Sequence, residues 1–559
     1  MADLHDHVTF CDLVLTALRR HATKDAFRYE GQTITNAEVE DALSRIVDLL
    51  QRRGFQHGDG VGVLSPNRPE VFYVQTAPLF AGGRYTALHP MGSFDDHKYA
   101  CDEAELRFLF VDPAYAERGA ALKEACDGVE EVFSFGPADG VVDLDSELSA
   151  AEPVDLQFGT RSPGDLAWLL YTGGTTGVPK AAMLPERSVA QMVFATSMGW
   201  DLPLDRRYLA VAPISHAAGM LIVPTLITGG SVTLLRGFTP ADWLAAVERD
   251  RITLSLLVPT MIYAVLDHPD LETTDLSTLE TIMYGASPMS PTRLAEGIER
   301  MGPVFAQLYG QTECAGITSS MSRSDHIPTD MQRLSACGLP MPGVRVEIFD
   351  EDGNPCPIDT PGEVCVQGAS VMDGYWRQPE LTAETLVDGW LHTGDIGVRG
   401  NDGFITLVDR KKDMIVSGGF NVFPREIEDV ISEHSAVSSV AVIGAPDEKW
   451  GEAVTAVVVL KPDTQCDPEE LRALVRDRKG AIYTPKTIEF VDALPLTAVG
   501  KPDKKVIRAQ YWSNADRSIC HHFTTSAPQR TRARYRVGAV GLLLPHPPSR
   551  SWLTAQTPT

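Results

Sequence analysis

Apolar residues fall into two rhythms along this chain. From Ala37 to Arg53, leucine, isoleucine and valine recur every three or four residues and the run stops at Gly54, which predicts an amphipathic helix. Gly60-Val61-Gly62-Val63-Leu64 follows as a short apolar run, which predicts a strand. Leu166-Ala167-Trp168-Leu169-Leu170 reads as a buried strand. Arg251 to Val258 reads as another, ended by Pro259, and Ala436 to Ile443 and Ala453 to Leu460 are two more β-rich runs with a turn between them. Helix and strand alternate too often for an all-α or all-β protein, so the expected class is α/β. There is no internal repeat.

The longest apolar stretches, around 209–235 and 252–266, are interrupted by Pro213, Pro224, Gly229, Gly230 and Pro259. Neither supplies the ~20 clean apolar residues of a membrane helix, so no transmembrane segment is expected. The first residues, Met1-Ala2-Asp3-Leu4-His5-Asp6, lack the basic-then-apolar order of a signal peptide. A cytoplasmic location is the expectation.

A chain of 559 residues should hold two or more domains. The formal net charge of −26 argues against nucleic acid as a partner. An anionic ligand would need local lysines and arginines, because the global field repels it. Nine scattered cysteines without a Cys-x-x-Cys pair favour free thiols and no zinc site. The charge knot Asp409-Arg410-Lys411-Lys412-Asp413 marks a composition shift, which predicts a large domain over 1–409 and a small one over 410–512. Residues 513–559 carry six arginines against one aspartate, five prolines and little periodicity, the composition of a disordered tail.

Candidate chemistry begins at Tyr171-Thr-Gly-Gly-Thr-Thr-Gly-Val-Pro-Lys180. A Gly/Thr turn after a buried strand can aim several N–H groups and hydroxyls at one anion, with Lys180 to balance charge. It lacks the Gly-Lys-Ser/Thr ending of the common nucleotide loop. Gln307-Leu308-Tyr309-Gly310-Gln311-Thr312-Glu313 gathers a phenol, a hydroxyl, amides and a carboxylate that could hold Mg²⁺. Asp395, at the end of Trp390-Leu391-His392-Thr393-Gly394-Asp395, could accept from a ribose hydroxyl pair, as could Asp409-Arg410. His216 has small neighbours that leave room for a ligand, and Lys501 lies on a Gly/Pro-flanked turn. Taken singly, each has an ordinary reading: a surface turn, a solvated carboxylate, a packed histidine, an exposed lysine.

Taken in order, these segments resemble the adenylate-forming superfamily, and within it the acyl-CoA synthetases. The resemblance covers residues ~10–512. Tyr171–Lys180 resembles the phosphate loop, Ile214–Gly219 the acyl-site segment, and Tyr284-Gly285-Ala286-Ser287-Pro288 with Tyr309–Glu313 the adenine and Mg²⁺ segments. Thr393–Asp395 and Asp409–Asp413 resemble the ribose and hinge segments, Ser417–Glu428 the lining of the thiol tunnel, and Gly500-Lys501 the catalytic lysine loop. Ala181 departs from the usual glycine.

The resemblance implies a large N-terminal domain of mixed sheets and helices and a small mobile α+β C-terminal domain turning about Lys412. It implies a ligase that joins a carboxylic acid to coenzyme A at the expense of ATP, with Mg²⁺. Lys501, Thr312, Glu313 and His216 would be catalytic. Thr172, Gly173, Gly174, Thr175, Thr176, Gly177, Lys180, Ser287, Tyr309, Asp395 and Arg410 would bind ATP, while Gly418, Gly419 and Trp450 would serve coenzyme A. His216, Gly219, Met220, Met283, Gly285, Ala286, Gly310 and Ile317 would line the acid pocket. That set is small or apolar and carries no acid to pair with a substrate ammonium, which disfavours amino-acid activation and favours a medium- or long-chain fatty acid, then an aryl or alicyclic one. Gly285 and Gly310 are expected to leave space for the acid's tail. Loading of a carrier protein and an inactive nucleotide-binding scaffold are the competing readings, and a homodimer is an open expectation.

Overall fold

The computed structural model describes residues 8–172, 179–410, 413–417, 420–447, 450–497 and 500–512. The helix expected over 37–53 forms at Asn36–Arg52, and Thr35 with Glu38 builds a capping box at its start. Strands form at Gly60–Leu64 and Leu166–Thr172 as the apolar runs predict. The run 251–258 yields a shorter strand, Leu254–Leu257, because Arg251 takes φ +50° and turns the chain first.

Two large sheets dominate the N-terminal part. One orders its strands Val142–Asp143, Glu131–Ser134, Leu106–Val111, Gly60–Leu64, Arg84–Leu88, Leu166–Thr172 and Lys180–Pro185. The other has nine strands, with Phe305–Tyr309, Thr281–Gly285, Leu254–Leu257, Arg207–Ala210 and Ser231–Leu234 side by side and parallel. Parallel strands need both faces covered, and these are almost wholly buried. One hydrophobic core runs between the sheets, from Phe27 and Phe72 to Met283 and Leu308. Buried Asn67, just past Gly60–Leu64, ties the sheets where their carboxyl ends meet: Nδ2 donates to the Ala212 carbonyl (2.9 Å) and Oδ1 accepts from the Ile214 N–H (2.8 Å).

A five-stranded sheet follows, with Val344–Phe349, Gly362–Gly368, Trp390–Arg399 and Ile405–Arg410 antiparallel. A second five-stranded sheet belongs to the smaller C-terminal domain. There the expected β-rich runs pair as an antiparallel hairpin, Val437–Asp447 with Gly451–Leu460. The helices Pro424–Ser432 and Pro468–Lys479 pack on it around Ile427, Ile431 and Leu471. The mixed α/β class is as expected from the alternation of runs. Among the described residues no helix is long and apolar enough to cross a membrane. Eight cysteines among them are free. Lys412 and the tail 513–559 lie outside the described residues.

Candidate active site

The carboxyl ends of Leu254–Leu257, Thr281–Gly285 and Phe305–Tyr309 lie side by side on one edge of the nine-stranded sheet. Leu166–Thr172 leads toward the expected phosphate loop, whose Gly173, Gly174, Thr175, Thr176 and Gly177 lie outside the described residues. Its two stems are in place: Thr172 stands opposite Lys180 in an antiparallel register. The Lys180 ammonium lies 5.1 Å from the centroid of the Tyr375 ring, within reach of a cation–π contact. The Tyr375 hydroxyl donates to Glu313 Oε1 (2.8 Å). Burial, and after it the Glu313 charge, push the Tyr375 hydroxyl far above its ordinary range, so it is the proton donor of this pair.

Tyr375 reaches this position through the backbone. The Met183 N–H donates to the Gly374 carbonyl and the Trp376 N–H to the Ala181 carbonyl, so the segment is stitched along Lys180–Pro185. Sequence reasoning missed Tyr375. Its only signal is the aromatic pair after a glycine, Gly374-Tyr375-Trp376.

The segment 307–313 is half strand. Gln307 to Tyr309 complete Phe305–Tyr309, and only Thr312–Cys314 is a 3-10 turn. Glu313 is buried there, and Ala315 closes the turn at φ +52°. Ala286, just past Thr281–Gly285, is left-handed too (φ +67°), with Ser287 half-buried behind it. Left-handed non-glycine residues cost energy and gather where function holds them.

Asp395 lies within the strand Trp390–Arg399, just after Gly394 at φ +72°. It is buried, accepts from the Tyr309 hydroxyl at Oδ2 (2.8 Å), and stands opposite Arg410 in the ladder. Burial, with the Asp395 charge adding to it, raises the Tyr309 hydroxyl well above its ordinary range. Tyr309 and Asp395 thus meet as a pair that sequence analysis had put in separate segments.

Lys501 arrives from the C-terminal domain. Its turn is closed by the Thr497 N–H donating to the Lys501 carbonyl (2.7 Å) and the Gly500 N–H to the Thr497 carbonyl (2.9 Å), with Gly500 at φ +76°. The Thr260 hydroxyl donates to the Gly500 carbonyl (2.9 Å). Thr260 opens the helix Pro259–Leu266, just past the carboxyl end of Leu254–Leu257, so the lysine turn is docked on the edge that carries Ser287, Tyr309 and Glu313. Gly418 and Gly419 lie outside the described residues, and the exposed Trp450 sits at the turn of the small domain's hairpin, its N–H donating to Asp447 Oδ1.

His216 follows the Asn67-anchored segment, and its Nδ1 lies 2.9 Å from the Ser215 hydroxyl. Burial, and after it the neighbouring His89, bring its pKa down to about 4, so the ring is neutral near pH 7. Met220, Met283 and Ile317 are buried in the same core. The glycines need a different account from the expected one. A Cβ at Gly285 would meet the Leu308 carbonyl oxygen at 2.2 Å, at Gly310 the Gly316 oxygen at 2.1 Å, and at Gly219 the Ile214 oxygen at 2.1 Å. Their missing side chains point at neighbouring backbone. They permit close chain packing and open no room for an acyl tail.

A family model for AMP-binding enzymes matches residues 15–376, and one for the AMP-binding enzyme C-terminal domain matches 426–501. The chain is 44% identical over 521 residues to the medium/long-chain-fatty-acid–CoA ligase FadD8 of Mycobacterium tuberculosis, covering 91% of each chain. It is 38% identical over 501 residues to a feruloyl-CoA synthase of Amycolatopsis, covering 88% of this chain and 96% of that one. The solved structure of the amide bond synthetase McbA from Marinactinospora thermotolerans superposes with a TM-score of 0.82 at 34% identity, over 90% of this chain and 99% of that one. This chain belongs to the AMP-binding enzyme family and, within the adenylate-forming superfamily, to the acyl-CoA synthetases.

Proposed function

We propose that this enzyme activates an apolar carboxylic acid, with medium- and long-chain fatty acids preferred and aryl acids next, and transfers the acyl group to coenzyme A. The observation that carries this reading is the docking of the Lys501 turn by Thr260 at the carboxyl edge of the nine-stranded sheet, the edge from which Glu313 reaches Tyr375 beside Lys180. A carboxylate oxygen attacks the α-phosphorus of ATP, the bond to the β-phosphate oxygen breaks, and pyrophosphate leaves. The coenzyme A sulfur then attacks the acyl carbon, AMP leaves, and the thiol proton passes to solvent.

The chain's part in the first step is positioning and charge balance. Lys501 sits between two anions that must approach, and Lys180 with the loop 172–177 holds the outer phosphates. Asp395 takes the ribose hydroxyls, with Arg410 opposite, and Ser287 and Tyr309 flank the adenine. The Glu313 carboxylate fits a hard divalent cation: it is an oxygen donor in a buried turn, with Oε1 already oriented by Tyr375. Glu313 would hold Mg²⁺, which when bound neutralises phosphate charge. The neutral His216 faces the acid without adding a charge to its apolar surroundings. The second step would follow rotation of the small domain about Lys412, which withdraws Lys501 and presents Gly418 and Gly419 to the thiol.

The test is pyrophosphate release over acetate, hexanoate, dodecanoate, benzoate, cinnamate and phenylalanine, with and without coenzyme A. Dodecanoate should give the highest kcat/KM. A preference for acetate or phenylalanine would contradict the reading of the pocket.

A further inference from the structure

His89 has no role in the chemistry above, yet the structure gives it a fixed ring and a spare donor. It follows the parallel strand Arg84–Leu88, whose neighbours are Gly60–Leu64 and Leu166–Thr172. In such sheets ligands gather at the carboxyl edge, which is where His89 stands. Its ring centroid lies 5.1 Å from that of His216, edge to face.

The hydrogen bonds around it settle the tautomers. Arg118 can only donate, and it lies 3.4 Å from His97 Nδ1, so His97 carries its proton on Nε2. That Nε2 is 2.8 Å from the His89 carbonyl and donates to it. The Met91 N–H donates to His89 Nδ1 (3.1 Å). A neutral His89 ring therefore carries its proton on Nε2, and burial favours the neutral form. His89 Nε2 is itself buried and has no hydrogen-bond partner. Arg118 also donates to the Gly92 carbonyl (3.0 Å), fixing the loop that presents the ring. A buried donor without an acceptor is costly, and here it is held beside His216 of the proposed acid pocket.

We infer that His89 Nε2–H is a recognition point in the acid pocket for an oxygen on the acid beyond its carboxylate, so that the preferred substrate is an oxygenated chain rather than a plain hydrocarbon one. This rests on the ligase reading above and narrows its substrate class. A plain fatty acid leaves the donor unpaired, whereas a hydroxy acid of the same length satisfies it.

The test compares kcat/KM for pyrophosphate release on dodecanoate and on its 3-, 5- and 7-hydroxy derivatives, using the wild type, His89→Leu and His89→Gln, with thermal melts of all three proteins. In the wild type at least one hydroxy acid should exceed dodecanoate by about tenfold, the usual worth of one satisfied buried donor. His89→Leu should erase that ratio, and His89→Gln, whose amide still donates, should keep part of it. Dodecanoate outperforming all three hydroxy acids in the wild type would overturn the assignment. So would an equal loss on all four acids in His89→Leu, the result expected if the ring only packs or holds a water. Absence of pyrophosphate release with every acid would instead overturn the ligase reading itself, and this inference with it.

Discussion

The ATP-facing edge and the acid pocket both bury polar groups, but they handle them in opposite ways. At the edge, each buried carboxylate is matched to a tyrosine hydroxyl: Glu313 to Tyr375 and Asp395 to Tyr309, both at 2.8 Å. In the pocket, burial removes charge: His216 is brought down to about 4, and His89 is lowered by the same cause. One region is built to organise anions and cations, the other to exclude them. Variants at the edge should therefore change ATP kinetics without altering acid preference, and variants in the pocket should do the reverse.

The largest effect should come from Lys501→Ala, which removes the cation from the point where two anions approach. Pyrophosphate release should fall by ~10²–10³, the usual loss for one preorganised donor. Thioester formation from pre-made acyl-AMP should be spared, because that step crowds no second phosphate. Equal losses in both half-reactions would mean that Lys501 acts on something common to the two steps. Acid preference should stay as in the wild type.

Tyr375→Phe should have a smaller effect. It deletes the hydroxyl on Glu313 but leaves the ring beneath Lys180. Hydrogen bonds to charged groups are worth ~1.5–3 kcal/mol, so a loss of roughly ten- to a hundredfold in kcat/KM for ATP is expected, with a higher Mg²⁺ requirement. Unchanged ATP kinetics together with an altered acid profile would break the division between the two regions.

How much of this arrangement could be read from sequence depends on how local its causes are. The Gly-flanked turn at Lys501 announces itself because turn chemistry is written in adjacent residues. The pair of Tyr375 and Glu313 does not, because 62 residues separate them and strand stitching along Lys180–Pro185 brings them together. The glycines misled for a related reason. Small residues signal free space only if the direction of the absent Cβ is known, and at Gly285 and Gly310 it points into neighbouring carbonyls. His89 was passed over because a single histidine after a strand carries no pattern. Its significance comes from His97, Met91 and Arg118 fixing its tautomer.

The smallest expected effect is on stability against pH. His216 and His326 are both brought down to about 4, chiefly by burial, from an ordinary value of 6.5. As pH falls from 6.5 toward 4, the unfolded chain takes up protons that the folded one refuses, so stability is lost across that window. The loss is about 1.4 kcal/mol per pH unit for each histidine. Denaturation midpoints of the wild type, His216→Gln and His326→Gln at pH 7 and pH 5 check this, and the substituted proteins should lose less between the two. An unchanged pH response would show that these rings titrate in the fold as they do in the unfolded chain, removing the contrast between pocket and edge.

The products of a complete reaction report on both half-reactions at once. Wild-type enzyme, ATP, Mg²⁺, dodecanoate and coenzyme A should be mixed and followed by mass spectrometry and pyrophosphate detection. The expected result is AMP, pyrophosphate and dodecanoyl-CoA in equal amounts, with only a stoichiometric burst of dodecanoyl-AMP when coenzyme A is omitted. Formation of ADP and phosphate, or steady pyrophosphate release that coenzyme A does not accelerate, would contradict it.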